Sequence, residues 1–160
     1  LAPVFVYAGG MIARIQQYAR ETGQPVPETP GEIAQATFAS LALQYAHTAD
    51  VLAECSGLAM PAIHIVGGGA QNEHLSQMTA DVSNKEVITG PIEATAIGNA
   101  IVQAITTGEI ADIGSARALI SSSDMNFGTY QPTTDSSARE QIKAVRNRYE
   151  ELIAHQRVTD

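Results

Sequence analysis

Tryptophan is absent, cysteine occurs once, and aromatic residues make up only 5% of the 160 residues. The lone thiol, Cys55, allows no disulfide within the chain. A core short of large rings must be filled by small aliphatic side chains, which favours helices packed closely on a sheet. Basic residues are scarce as well: 9 Lys and Arg against 17 Asp and Glu leave a formal charge of -8. That argues against nucleic acid or an anionic membrane as partner, since both need a basic surface. It does not exclude a phosphate, which one helix N-terminus can hold locally. Long apolar runs are missing too. The richest, Ile92 to Ile105, is interrupted by Glu93, Asn99 and Gln103 and is too short to span a bilayer. With no signal-peptide pattern and a single cysteine, the expected location is the cytoplasm. The start at Leu1-Ala2-Pro3, without methionine, points to a fragment.

What is present reads as one α/β unit. Met11 to Thr22 forms a short helix ended by Gly23, Pro25 and Pro27. Thr29-Pro30-Gly31-Glu32 combines an N-cap threonine, proline at the first helical position and glutamate at the third. It starts a helix from Pro30 to about Glu54, stopped by Gly57, with Ala34, Phe38, Leu41, Tyr45, Thr48 and Leu52 along one face. Ala62 to Val66 reads as a buried strand, and Gln71 to Val82 as a helix. Val87 to Thr89 is a second strand, so strand, helix and strand make a parallel βαβ unit. Ile92 to Thr107 is apolar nearly all round, which predicts a helix sandwiched in the interior. Beyond Gly108 the pattern weakens to a short helix at Ser115 to Ser121 and then irregular chain. Ser137 and Glu140 form a capping box for a last helix striped by Ile142, Val145, Tyr149 and Leu152. Two strands are few for a sheet, so the remaining strands are expected upstream of Leu1.

The segment that carries chemistry is Ile63 to Asn72, where a strand runs into Gly67-Gly68-Gly69 and on into a helix. Glycines let a ligand approach the backbone without an intervening Cβ. The helix behind them offers free amides and a positive dipole end to an anion. Gln71 and Asn72 add amide groups that both donate and accept, which suits a nucleobase or ribose edge. The same glycines could equally form a tight turn and nothing more. No Lys-Ser/Thr pair follows them, which excludes a Walker loop. Asn72 stands where a dinucleotide fingerprint needs glycine, and Thr89 where it needs an acid, which disfavours a Rossmann dehydrogenase.

The run "IHIVGGGAQNEHLSQMTAD" at Ile63–Asp81 resembles the adenosine-binding motif of the FGGY carbohydrate kinases, its rhamnulokinase members above all. So do "ETGQPVPETPGEI" at Glu21–Ile33, "SLALQYA" at Ser40–Ala46 and "VITGPIEATAIGNAIVQAI" at Val87–Ile105. The resemblance implies the later part of the second of two actin-like, ribonuclease-H-like lobes, with a parallel βαβ core and flanking helices. Residues 1–160 would then be a single partial domain: an opening segment to about 30, a core from about 30 to 107, and an extension with a helix from about 108 to 160. It implies ATP or ADP and Mg²⁺ as cofactors, the metal held through the nucleotide and the absent N-terminal lobe. It implies a sugar, L-rhamnulose, as the acceptor in rhamnose breakdown. Other sugars of the family (fuculose, xylulose or ribulose types) and a non-catalytic actin-like nucleotide module are the alternatives. Gly68 resembles the backbone contact to the phosphates, Gly67 and Gly69 shape the turn, and Asn72 with Gln71 flanks the adenine. Glu93 reads as a helix-start cap on the helix behind this pocket. No catalytic residue is assigned, since the family's base aspartate precedes the region covered; none of Asp50, Asp81, Asp112 and Asp124 stands in a catalytic context, and Asp81 reads as structural at a helix end.

Of the remaining residues, His64 reads as a satisfied, partly buried strand residue and Cys55 as inert packing. His47, His74 and His155 show no metal spacing. Arg139, Lys143, Arg146 and Arg148 read as a solvated, charge-mixed face. A lobe without its partner should expose apolar surface, so self-association is expected.

Overall fold

The computed structural model describes residues 5, 9–123 and 128–159, with side chains through residue 154. Along them run α1 (Met11–Glu21), α2 (Pro30–Ser56), β1 (Ala62–Ile65), a 3-10 turn (Gly68–Gln71), α3 (Glu73–Ser83), β2 (Glu86–Thr89), α4 (Ala94–Thr106), α5 (Ile113–Ser121), β3 (Thr129–Tyr130) and α6 (Ser136–Thr159).

Local signals set most of these boundaries. Thr29 Oγ1 accepts from the Glu32 amide at 3.3 Å, and Glu32 Oε2 accepts from the Thr29 amide at 2.9 Å. This capping box opens α2, and Gly57, left-handed at φ 65°, closes it. β1 and β2 pair in parallel, with Ile63 opposite Val87 and Ile65 opposite Thr89. β3 adds antiparallel to the other side of β2, so the sheet is mixed and β2 is central. Two residues of strand carry no periodicity, which is why β3 is invisible in the sequence. The core lies between α2 and α3, where Ala42, Leu43, Ala46, Leu75 and Val82 cluster and Phe38, Met78, Ile142 and Tyr149 close the margin.

Several expectations are corrected. The buried face of α2 is Ala42, Leu43, Ala46 and Ala49, rotated about 100° from the stripe through Ala34, Phe38, Leu41, Tyr45, Thr48 and Leu52, of which Phe38 still packs at the core margin. Both faces are apolar, and periodicity cannot choose between them. The small alanines decide it, because they let α3 come close. β1 is half-buried where a buried strand was expected, and His64 is exposed. α4 buries no residue, against the expected interior position, and Val102 is 60% exposed. Among the described residues its main neighbour is α5, so no element covers its outer face.

On α6 the expected box of Ser137 and Glu140 does not form; Asp135 Oδ1 caps the helix by accepting from the Ser137 amide at 2.8 Å. Ile142 and Tyr149 dock as the stripe predicts, but Val145 is exposed. Arg146, expected on the solvated face, is half-buried and ties α6 to α2 and α3. Cys55 is exposed and so does no packing. Asp124 and the His155 side chain lie outside the described residues. No helix among those residues is long and apolar enough to cross a membrane.

Candidate functional site

β1 and β2 end side by side, and the loops after them face each other at the carboxyl edge of the parallel pair. That is where open α/β sheets bind ligands. The first loop holds the three glycines. Gly67 sits at φ 80°, ψ -164°, a region open in practice to glycine alone. Its carbonyl accepts from the Ala70 amide at 3.0 Å, and the Gly69 carbonyl accepts from Asn72 at 3.1 Å. These bonds fold residues 68–71 into a 3-10 turn before α3 begins, where the sequence pointed to a direct run into a helix at Gln71.

The first amides of a helical turn have no partner within it, so the turn presents the N–H groups of Gly68 and Gly69. Both glycines are exposed. A Cβ added at Gly68 would meet nothing within 4 Å, and one at Gly69 only Ile65 Cγ2 at 3.9 Å. The backbone here is approachable from outside.

Asn72 is half-buried and is the N-cap of α3, its Oδ1 accepting from the Leu75 amide at 3.0 Å. Its amide nitrogen is left to donate elsewhere. Glu73 adds a carboxylate in the first turn, so the dipole end of α3 is already complemented. An anion approaching this loop would therefore meet the glycine amides rather than the end of α3. Gln71 is exposed at the rim. The structure thus brings Gly67, Gly68, Gly69, Gln71 and Asn72 into one short segment, with Asn72 partly committed to capping.

The second loop runs from Gly90 to Glu93, so the helix expected from Ile92 begins two residues later, at Ala94. It contributes Pro91, whose carbonyl accepts from the Gly67 amide at 3.0 Å. Behind it, buried Thr89 and Gly128 bond reciprocally, Thr89 N–H to Gly128 O at 2.8 Å and Gly128 N–H to Thr89 Oγ1 at 2.7 Å. No local signal links residues so far apart in the chain. Glu93 occupies the N-cap position of α4, but its side chain makes no capping bond, correcting the capping role expected for it.

Four other candidates, Asp81, Asp112, His47 and His74, bond within the scaffold. Asp81 Oδ1 accepts from Gln77 Nε2 at 2.9 Å and from the Thr133 amide at 2.8 Å. Asp112 caps α5 through the Ser115 amide. His47 pairs with Glu150 at 3.0 Å and His74 with Gln35 at 2.9 Å. Among the described residues no three His, Cys, Asp or Glu side chains come together to hold a metal. An open groove of about 420 Å³ between α4 and α5, lined by Ile97, Ile101, Ala104, Leu119 and Ile120, contains no residue of the glycine turn.

Residues 4–107 match the C-terminal domain of the FGGY family of carbohydrate kinases. The chain belongs to that family. The FGGY chain is 42% identical over 153 residues to a rhamnulokinase of Enterococcus faecalis, covering 94% of this chain and 30% of the relative. It is 46% identical over 119 residues to one of Ligilactobacillus salivarius, covering 74% and 24%. It is 43% identical over 128 residues to one of Bacteroides thetaiotaomicron, covering 80% and 26%. The FGGY chain thus matches less than a third of the length of these curated relatives. The glycine turn and both facing loops fall inside the family match, whereas α5, β3 and α6 lie beyond it.

Proposed function

We propose that this chain forms the adenine-nucleotide wall of an ATP-dependent kinase that transfers the γ-phosphoryl group to the 1-hydroxyl of L-rhamnulose, giving ADP and L-rhamnulose 1-phosphate in rhamnose breakdown. The observation that carries this reading is the glycine turn, with exposed Gly68 and Gly69 amides at the carboxyl edge of a parallel strand pair. Similarity to rhamnulokinases supports the choice of sugar. In this proposal the Gly68 amide contacts the phosphates, Gly67 and Gly69 hold the turn, and Gln71 and the Asn72 amide nitrogen flank the adenine. Mg²⁺ arrives on the nucleotide phosphates, and the base and sugar-binding groups lie in other parts of the kinase. Residues 1–160 are one partial domain of the second, actin-like lobe, with about 30–107 as its core. A cytoplasmic setting, where ATP is at hand, belongs to the same proposal.

Calorimetric titration of the chain with MgADP tests it, using Gly68→Val and Gly67→Ala. Gly68 has open space and ordinary φ, so Gly68→Val should leave the fold intact while its side chain occupies the phosphate position. Gly67→Ala strains the turn itself, by about 1–3 kcal/mol. Binding by the wild type that Gly68→Val abolishes supports the reading. Equal affinity in Gly68→Val would sink it. Turnover of L-rhamnulose against fuculose, xylulose and ribulose by a kinase containing this segment decides the sugar, and nucleotide binding without any turnover would favour the non-catalytic module.

A further inference from the structure

The β2–α4 loop continues the strand pairing beyond the ends of both strands. The Gly90 amide donates to Ile65 O at 2.8 Å, and one step further the Gly67 amide donates to Pro91 O at 3.0 Å. These two bonds lock the loop against the residue whose φ of 80° directs the glycine turn. Gly90 itself is not left-handed, so conformational freedom does not explain a glycine there. Space does. A Cβ at Gly90 would stand 2.7 Å from Val66 Cγ1, closer than real Cβ contacts come, and 3.8 Å from Ile65 O. Val66 is β-branched and stiff about χ1, and it is joined directly to Gly67.

We propose that Gly90 is the positioning residue of the glycine turn: its missing side chain lets the loop close over Val66, so that Pro91 O holds the Gly67 amide and aims the Gly68 and Gly69 amides outward. The pair Thr89–Gly128 holds the same loop from its other end. The consequence for ligand affinity rests on the nucleotide reading above; the positioning does not.

Amide hydrogen exchange of the full chain tests the positioning with Gly90→Ala, Val66→Ala and the double variant. Val66 is 55% exposed, and Val66→Ala removes the atom the new Cβ would strike. Gly90→Ala should speed exchange of the Gly67 amide about tenfold, equivalent to about 1.4 kcal/mol. Val66→Ala should leave it within about twofold of wild type, and the double variant should restore it. The Ala80 and Val82 amides, inside α3 beyond its first turn, should keep their protection throughout. Unchanged Gly67 exchange in Gly90→Ala, a double variant as fast as the single one, or equal acceleration at Ala80 and Val82 would each overturn the proposal. MgADP titration of the same variants separates the two readings. Affinity that follows Gly67 exchange supports both; a wild-type chain that ignores MgADP removes the nucleotide reading while the exchange data still decide the positioning.

Discussion

Arg146 of α6 donates from Nη2 to Asp50 Oδ2 of α2 at 2.6 Å, joining residues 96 apart in the chain. Its Nη1 meanwhile donates to Val82 O in the last turn of α3 at 3.1 Å. One guanidinium thus fastens the terminal helix to both helices of the core, and Lys85 Nζ stands 3.4 Å from the other oxygen of Asp50.

Arg146→Ala should cost about 1–2 kcal/mol, combining the bond to Val82 O with an ion pair discounted for exposure. Asp50→Asn should cost less, because it leaves the Val82 bond in place. Urea midpoints at low and high salt separate the parts: the Asp50 contribution fades with salt and the Val82 contribution persists. Identical midpoints for wild type and Arg146→Ala would refute the tie.

The capping box makes an acid-sensitive limb. The Thr29 amide, and after it the Glu28 amide, hold the Glu32 carboxyl below its ordinary 4.5. A carboxyl lowered in the fold contributes stability above its unfolded value and loses it as pH falls through the folded one. Wild type should therefore lose stability below pH 4.5 more steeply than Glu32→Gln, as read from urea midpoints across that range. Asp112, held below 3.8 first by the Ser115 amide, adds a second component at lower pH. Thr29→Ala should cost about 1 kcal/mol at neutral pH.

Ser76 Oγ is fully buried in α3 and has no hydrogen-bond partner among the described residues. A buried hydroxyl without a partner carries an unrecovered desolvation cost. Ser76→Ala should therefore leave stability unchanged or raise it by up to about 1 kcal/mol. A loss of stability in thermal unfolding would contradict this and point to a bond to an internal water.

Leu41 and Tyr45 are each 37% exposed and Leu52 is 51% exposed along one face of α2. Contiguous apolar surface of this kind drives association. The 160-residue chain should sediment with a coefficient that rises with concentration, and Leu52→Asp should flatten the rise. A concentration-independent monomer in wild type would contradict this.

How much of the molecule was legible follows from how far each signal reaches. Thr29, Glu32 and Gly57 act within one turn of helix, so both ends of α2 could be read from neighbouring residues. Gly67-Gly68-Gly69 behind a β-type run marked the candidate site, and dense motif resemblance pointed to the family that residues 4–107 match. The side of α2 that is buried was not legible, since two apolar faces compete and α3 selects the one with small residues. Nor was the N-cap role of Asn72 on α3, because an amide that flanks a ligand and one that caps a helix look alike in sequence.

By itself, the sequence determined the order of elements, the parallel pairing of β1 and β2, and the glycine turn, because caps, breakers and period are local preferences of the chain. Tertiary structure alone decided the addition of β3, the half-exposed state of α4, the Arg146–Asp50 tie and the fit of Gly90 against Val66. Each of these depends on the distance between atoms of separate elements, and that distance exists only once the elements have packed.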